Sequence, residues 1–174
     1  MTPRVRLVTR IALLSALIYV LSWVTSYLPG VNAAFFIAFL AGYIWGGWAG
    51  AAVGALGMWL WTTFNPLGPA AMPIALSQIF GLAACGLMGR LFRPAVSTFT
   101  NRTGRYLTLL SAALACTVVF YAPVSVTDAW VFGPFWPRLI GGLPFVAVSL
   151  AANAVIFPLL FGATRRISER EGNY

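Results

Sequence analysis

The stretch IALLSALIYVLSWVTSYLPGVNAAFFIAFLAGYIWGGWAGAAVGALGMWLWTTFNPLGPAAMPIALSQIFGLAACGLMG, residues 11–89, contains no charged side chain. All but one of the eleven arginines form three short clusters outside it: Arg4, Arg6 and Arg10; Arg90, Arg93, Arg102 and Arg105; Arg165, Arg166 and Arg170. Hydrocarbon accepts apolar side chains and rejects guanidinium groups, so a chain dissolved in lipid carries its arginines at the aqueous ends of its spans. Water imposes no such division. The expectation is an all-α integral membrane protein whose 174 residues form one domain.

Composition agrees. A chain that is 60% hydrophobic and 8% charged, with mean hydropathy +0.87, has little left for a soluble domain. In a soluble protein the net charge of +8 would point to nucleic acid. Here the arginines flank apolar spans and leave no basic face for a groove, so they read as determinants of topology in contact with anionic lipid headgroups. With no histidine and three acids, metal and proton-relay chemistry lacks its ligands, and neither a metal nor a cofactor is expected. Cys85 and Cys116 lie in apolar stretches and read as small packing residues.

A helical span needs about 20 apolar residues. Six segments bounded by arginine, proline or glycine come near that length: 11–28, 31–45, 47–64, 73–89, 106–127 and 139–164. Pro29-Gly30 closes the first, Gly46-Gly47 divides the second from the third, and Pro73 suits the first turn of the fourth. Asn65 to Pro69 reads as a turn, and Asp128 to Pro137 as an outer loop rich in aromatics and prolines. Six spans put the three arginine clusters on one side, which the positive-inside rule makes the cytoplasm together with both termini. One competing reading remains at the start: the first arginines, the run from Ile11 and Val31-Asn32-Ala33 also resemble a secretory signal with its cleavage site.

Between helices in lipid, small residues permit close backbone approach. Ala34, Ala38, Gly42, Gly46, Gly50 and Gly54 recur every four positions, so the second and third spans should pack tightly. Ala12 and Ala16 form a shorter pair of this kind just after the first arginines. Polar side chains at membrane depth are costly and call for a reason. Most of them collect toward the outer face: Asn32, Asn65, Asp128 and Arg138 at outer ends or loops, Gln78 about a turn into the fourth span, and Tyr121 near the outer end of the fifth. Asn153 falls about halfway along the sixth. Aromatics crowd the same side, Trp23, Tyr27, Trp59, Trp61, Trp130 and Trp136 among them, and mixed with these polar groups they mark an outer ligand pocket.

With these residues in place, the chain resembles the substrate-binding S component of energy-coupling factor (ECF) vitamin transporters over nearly its whole length. The resemblance rests on six hydrophobic spans in this length and on the alanine pair in Ala12-Leu13-Leu14-Ser15-Ala16. It rests also on the Gly/Ala-rich block from Phe39 to Met58, the fourth span from Gln78 to Leu87, and the last span from Leu143-Pro144-Phe145 through Asn153 to Phe157. It implies a subunit of a prokaryotic cell membrane that captures a vitamin or related micronutrient near the outer face and docks on a transmembrane coupling subunit driven by two cytoplasmic ATPases. Ala12 and Ala16 would supply the docking surface. Asn65, Gln78, Tyr121, Asp128, Trp130, Trp136, Arg138 and Asn153 stand where such proteins hold substrate, placed there by location and polarity.

No phosphate loop of the Gly-x-x-x-x-Gly-Lys-Ser/Thr type occurs, so the chain is not expected to hydrolyse ATP itself. Two cargo classes stay open: Arg138 could hold an anionic vitamin, or Asp128 could neutralise it and leave an aromatic pocket for a flat ring. Rival readings are a non-transporting membrane scaffold of the cell-shape type with the same six-helix plan, and a small intramembrane enzyme. The enzyme reading lacks chemistry, since Ser15, Ser77, Ser111 and Ser149 have no base to activate them.

Overall fold

Backbone in hydrocarbon must satisfy its own hydrogen bonds, which favours uninterrupted helices. The computed structural model describes residues 2–28, 30–99 and 101–171, with side chains through 162 except that of Pro3. It contains six helices: α1 (Pro3–Val24), α2 (Ala34–Trp45), α3 (Gly47–Phe64), α4 (Met72–Thr98), α5 (Arg102–Phe132) and α6 (Phe135–Glu171). No strand occurs among the described residues. Within α1, α4, α5 and α6 lie four segments long and apolar enough to cross a membrane. Their outward side chains, Leu13, Phe80, Val155 and Leu159 among them, are more than half exposed, a coat suited to lipid. This is the architecture of a helical membrane protein.

α2 has 12 residues, about 18 Å of helix, and is apolar all round; Phe35, Phe36 and Phe39 are buried. Phe35 meets Phe120 of α5 edge-on at 4.9 Å between ring centroids, and Phe36 meets Phe157 of α6 at 5.4 Å. α3 has the 18 residues expected of it, but four glycines and three tryptophans make it less apolar than the long helices.

Helix direction alternates along the chain. Gly50 and Gly54 of α3 meet Gly86 and Leu82 of α4, Gly81 and Cys85 of α4 meet Phe120 and Cys116 of α5, and Tyr121 of α5 bonds Ser149 of α6. In each pair a rising number on one helix meets a falling number on the other. Arg4, Arg6, Arg10, Arg90, Arg93, Arg102 and Arg105 therefore share one end of the bundle. There Arg10 lies over the Trp45 ring, 5.4 Å from its centroid. The side chains of Arg165, Arg166 and Arg170 lie outside the described residues, as does Pro29.

Four helices run past the apolar limits expected of them. α1 starts at Pro3, where the Thr2 hydroxyl accepts from the Val5 N–H, because arginine is a good helix former and the ladder need not stop where the hydrocarbon does. It ends at Val24, not at 28. α4 continues past Gly89 to Thr98 with Pro94 inside it, and α5 starts four residues before Tyr106, where the Asn101 side chain accepts from the Gly104 N–H at 3.0 Å. The largest correction concerns the expected outer loop from Asp128 to Pro137. α5 runs through to Phe132 and α6 begins at Phe135, so the chain turns at Gly133 and Pro134. Pro137 falls in the first turn of α6, where its missing N–H removes no helical bond.

The small-residue stripe does more than join α2 to α3. A Cβ on Gly50 would lie 2.6 Å from the Gly42 Cα, and Cβ atoms on Gly86 and Gly89 of α4 would overlap the backbone of Gly50 and of Phe39. Three helix backbones thus meet at one place. Gly46, with φ +98°, forms the break between α2 and α3, and an added Cβ there would meet nothing within 4 Å among the described residues. Cys85 and Cys116 are fully buried across the α4–α5 contact, the Cys85 thiol donating to the Cys116 carbonyl at 3.3 Å.

Candidate ligand cavity opposite the arginine end

At the end away from the arginine clusters, five helices and the connection between α1 and α2 enclose a cavity of about 210 Å3. Ser22 comes from the last turn of α1, Asn32 from the connection, Phe35 from the first turn of α2, Trp61 from α3, Gln78 from α4, and Phe120 and Tyr121 from α5. Half of the lining is aromatic or aliphatic, and every polar group in it is uncharged.

The connection is held at both sides. Asn32 donates its amide to the Ser22 hydroxyl at 3.0 Å while its oxygen accepts from the Ala34 N–H at 2.8 Å, which starts α2 and ties it to α1. Gly30 lies against α6: its φ is +80°, and a Cβ there would stand 3.0 Å from the Val148 side chain and 3.2 Å from the Phe145 carbonyl. Its own carbonyl accepts from the Ser149 hydroxyl at 2.8 Å. Ser149 is also 2.7 Å from the Tyr121 hydroxyl. A serine has one hydroxyl proton, so donation to Gly30 leaves its oxygen to accept from Tyr121. Gln78 lines the cavity with an amide that makes no hydrogen bond among the described residues.

One turn deeper, the pattern repeats. Asn153 follows Ser149 by four positions on α6, and Thr117 precedes Tyr121 by four on α5; the Asn153 amide donates to the Thr117 hydroxyl at 2.9 Å. Thr117 donates to the Ala113 carbonyl at 2.8 Å. Asn153 is 1% exposed, and its carbonyl oxygen has no partner among the described residues. Tyr121–Ser149 and Thr117–Asn153 are thus two rungs between α5 and α6. Membrane-embedded side-chain bonds of this kind average about 0.6 kcal/mol and reach about 1.7. A double-mutant cycle of Thr117→Val and Asn153→Leu, read by unfolding in detergent, should return a coupling in that range; additive effects would show that the rung contributes nothing.

Of the eight residues singled out in the sequence, Gln78 and Tyr121 line this cavity and Asn153 lies a turn below it. The other five are elsewhere. Asn65 ends α3 and accepts from the Leu67 N–H at 2.9 Å, which shapes the turn before α4. Trp130 and Trp136 are 83% and 67% exposed on the outside of α5 and α6. Asp128 and Arg138 face each other, with Arg138 Nε 2.7 Å and Nη2 3.2 Å from the two carboxylate oxygens, and Arg138 lies over the Phe132 ring. This pair borders a separate open groove beside Gly133 and Pro134. Ala12 and Ala16 are exposed on α1, on an outer face shared with Leu13, Leu17 and Val20.

Ser22 and Ser149 are cavity anchors that outer location and polarity alone did not single out. The readable signal is the i, i+4 pairing of Thr117 with Tyr121 and of Ser149 with Asn153, which puts two hydrogen-bonding groups on one face of each helix. No group of histidine, cysteine or acidic side chains suited to a metal occurs among the described residues. Comparison with family models, with curated proteins and with solved structures returns no match.

Proposed function

We propose that the chain is the membrane-embedded substrate-capture subunit of an ECF-type importer, with six spans and both termini in the cytoplasm of a prokaryotic cell. It takes a vitamin-like molecule into the cavity opposite the arginines and presents it to a transmembrane coupling subunit, which two cytoplasmic ATPases drive. Ala12 and Ala16, exposed on α1, offer the flat contact that such docking needs. The chain performs no catalysis and uses no cofactor. The observation that carries the reading is the half-buried Gln78 amide, which makes no hydrogen bond among the described residues and so is available to a ligand in a mixed aromatic and polar cavity.

The cargo is compact and uncharged. Arg138, the cation at this end, is spent on Asp128, and no charged side chain lines the cavity. A buried ionic ligand without a counter-charge would lose its hydration uncompensated. The volume, below the 300–1,000 Å3 of drug-sized pockets, favours a single flat ring bearing amide or hydroxyl groups. Arg138→Gln should accordingly leave cargo affinity unchanged, as isothermal titration would show; a tenfold or greater loss would place the cargo at the Asp128–Arg138 groove instead.

The small volume also lends support to a scaffold that binds nothing. Mass spectrometry of small molecules released from the detergent-purified protein separates the two. A capture subunit carries a stoichiometric neutral compound, and that compound at 100 times its Kd adds about 2.7 kcal/mol to stability. A scaffold releases none and shows no thermal shift with any member of a vitamin panel.

A further inference from the structure

A groove of about 690 Å3 lies at the other end, between the first turns of α5 and the stretch of α6 from Ala154 to Gly162. Arg102 and Arg105 stand at its mouth, and Leu109, Val155 and Leu159 form its wall. Neither arginine has an ion-pair or hydrogen-bond partner for its guanidinium among the described residues. Asp128, the one carboxylate with a described side chain, is engaged by Arg138 at the opposite end of the bundle. α5 also begins here. Asn101 takes the Gly104 and Arg105 N–H groups, while those of Arg102 and Thr103 have no helical partner and add a positive helix end to the two guanidinium groups.

From Arg102 to Leu109 the helix advances about 10 Å, so the wall runs from the aqueous boundary into the hydrocarbon. A free phosphate ion would satisfy the arginines and leave that wall unused. A neutral chain would use the wall and leave the arginines unanswered. We propose that the groove binds one anionic phospholipid, with its phosphate between Arg102 and Arg105 and an acyl chain along Leu109, Val155 and Leu159. The inference rests on the membrane embedding of the chain and is independent of any cargo at the other end.

Native mass spectrometry of the detergent-solubilised full chain, titrated with phosphatidylglycerol or with phosphatidylcholine of the same acyl chains, tests it. One phosphatidylglycerol should be retained roughly thirtyfold more tightly, the factor two basic residues near a lipid surface supply. Arg102→Gln with Arg105→Gln should bring the two lipids to parity, whereas Arg4→Gln with Arg6→Gln should not. Val155→Trp, at a side chain 64% exposed and so free of core packing, should weaken retention by filling the groove. Equal binding of both lipids by the unaltered chain would overturn the proposal. So would loss of preference in the Arg4/Arg6 variant, unchanged retention in Val155→Trp, or displacement of the lipid by millimolar inorganic phosphate.

Discussion

Gly86→Leu should abolish folded protein, reading out as loss of the monodisperse peak in size-exclusion chromatography of detergent extracts. At this position the neighbours are backbone, not flexible side chains: a Cβ on Gly86 would overlap the Gly50 carbonyl group. Side chains can rotate away from an added methyl, but a helix backbone can yield only by moving the whole helix. Gly42, Gly50 and Gly86 form one three-way junction of α2, α3 and α4, so separation there opens two interfaces at once. Overpacking in an ordinary core costs about 1–3 kcal/mol, and a clash of rigid elements exceeds that range. Lipid offers no hydrophobic drive to push the helices back together. Leucine at Gly141, where nothing stands within 4 Å of an added Cβ, is the matched control and should fold normally.

Under the proposed capture function, Gln78→Leu should erase the thermal shift that the cargo produces while leaving the empty protein as stable as before, or more so. The two effects separate because the amide makes no bond among the described residues, so leucine removes no interaction from the empty state. In the occupied state the amide's bonds to cargo disappear and the cargo's own polar atoms are left facing hydrocarbon. A cost of about 2 kcal/mol follows, roughly thirtyfold in affinity. Titration calorimetry on the two proteins decides it. A variant that melts lower when empty yet binds normally would give Gln78 a packing role and remove the main support for the cavity.

The class of the fold was legible because lipid solvation acts on every residue: arginine placement alone marks the apolar segments. Helix ends were less legible, since hydropathy reports where hydrocarbon stops, and α4 and α5 carry their ladders well beyond it past Arg90 and before Tyr106. The expected outer loop from Asp128 to Pro137 gave way to helix for a related reason. In the opening turn of α6 the missing N–H of Pro137 costs no helical bond, so the proline there does not interrupt the helix. Of the polar residues singled out by location and polarity, Gln78 and Tyr121 line one cavity. Asn65, Asp128 and Arg138 were grouped with them by being outer and polar, but short-range partners, a turn N–H and each other, hold them outside the cavity. Ser22 reaches the lining through Asn32, a contact set by the path of the connection, about which composition is silent.

The pair of sulfhydryl groups sealed between α4 and α5 has a practical corollary. Water-borne maleimides cannot reach either sulfur, so the wild-type chain provides a blank background for site-directed spin or fluorophore attachment. A cysteine introduced on the outer face of α1 could then test the proposed subunit docking without first stripping the native ones from the bundle interior.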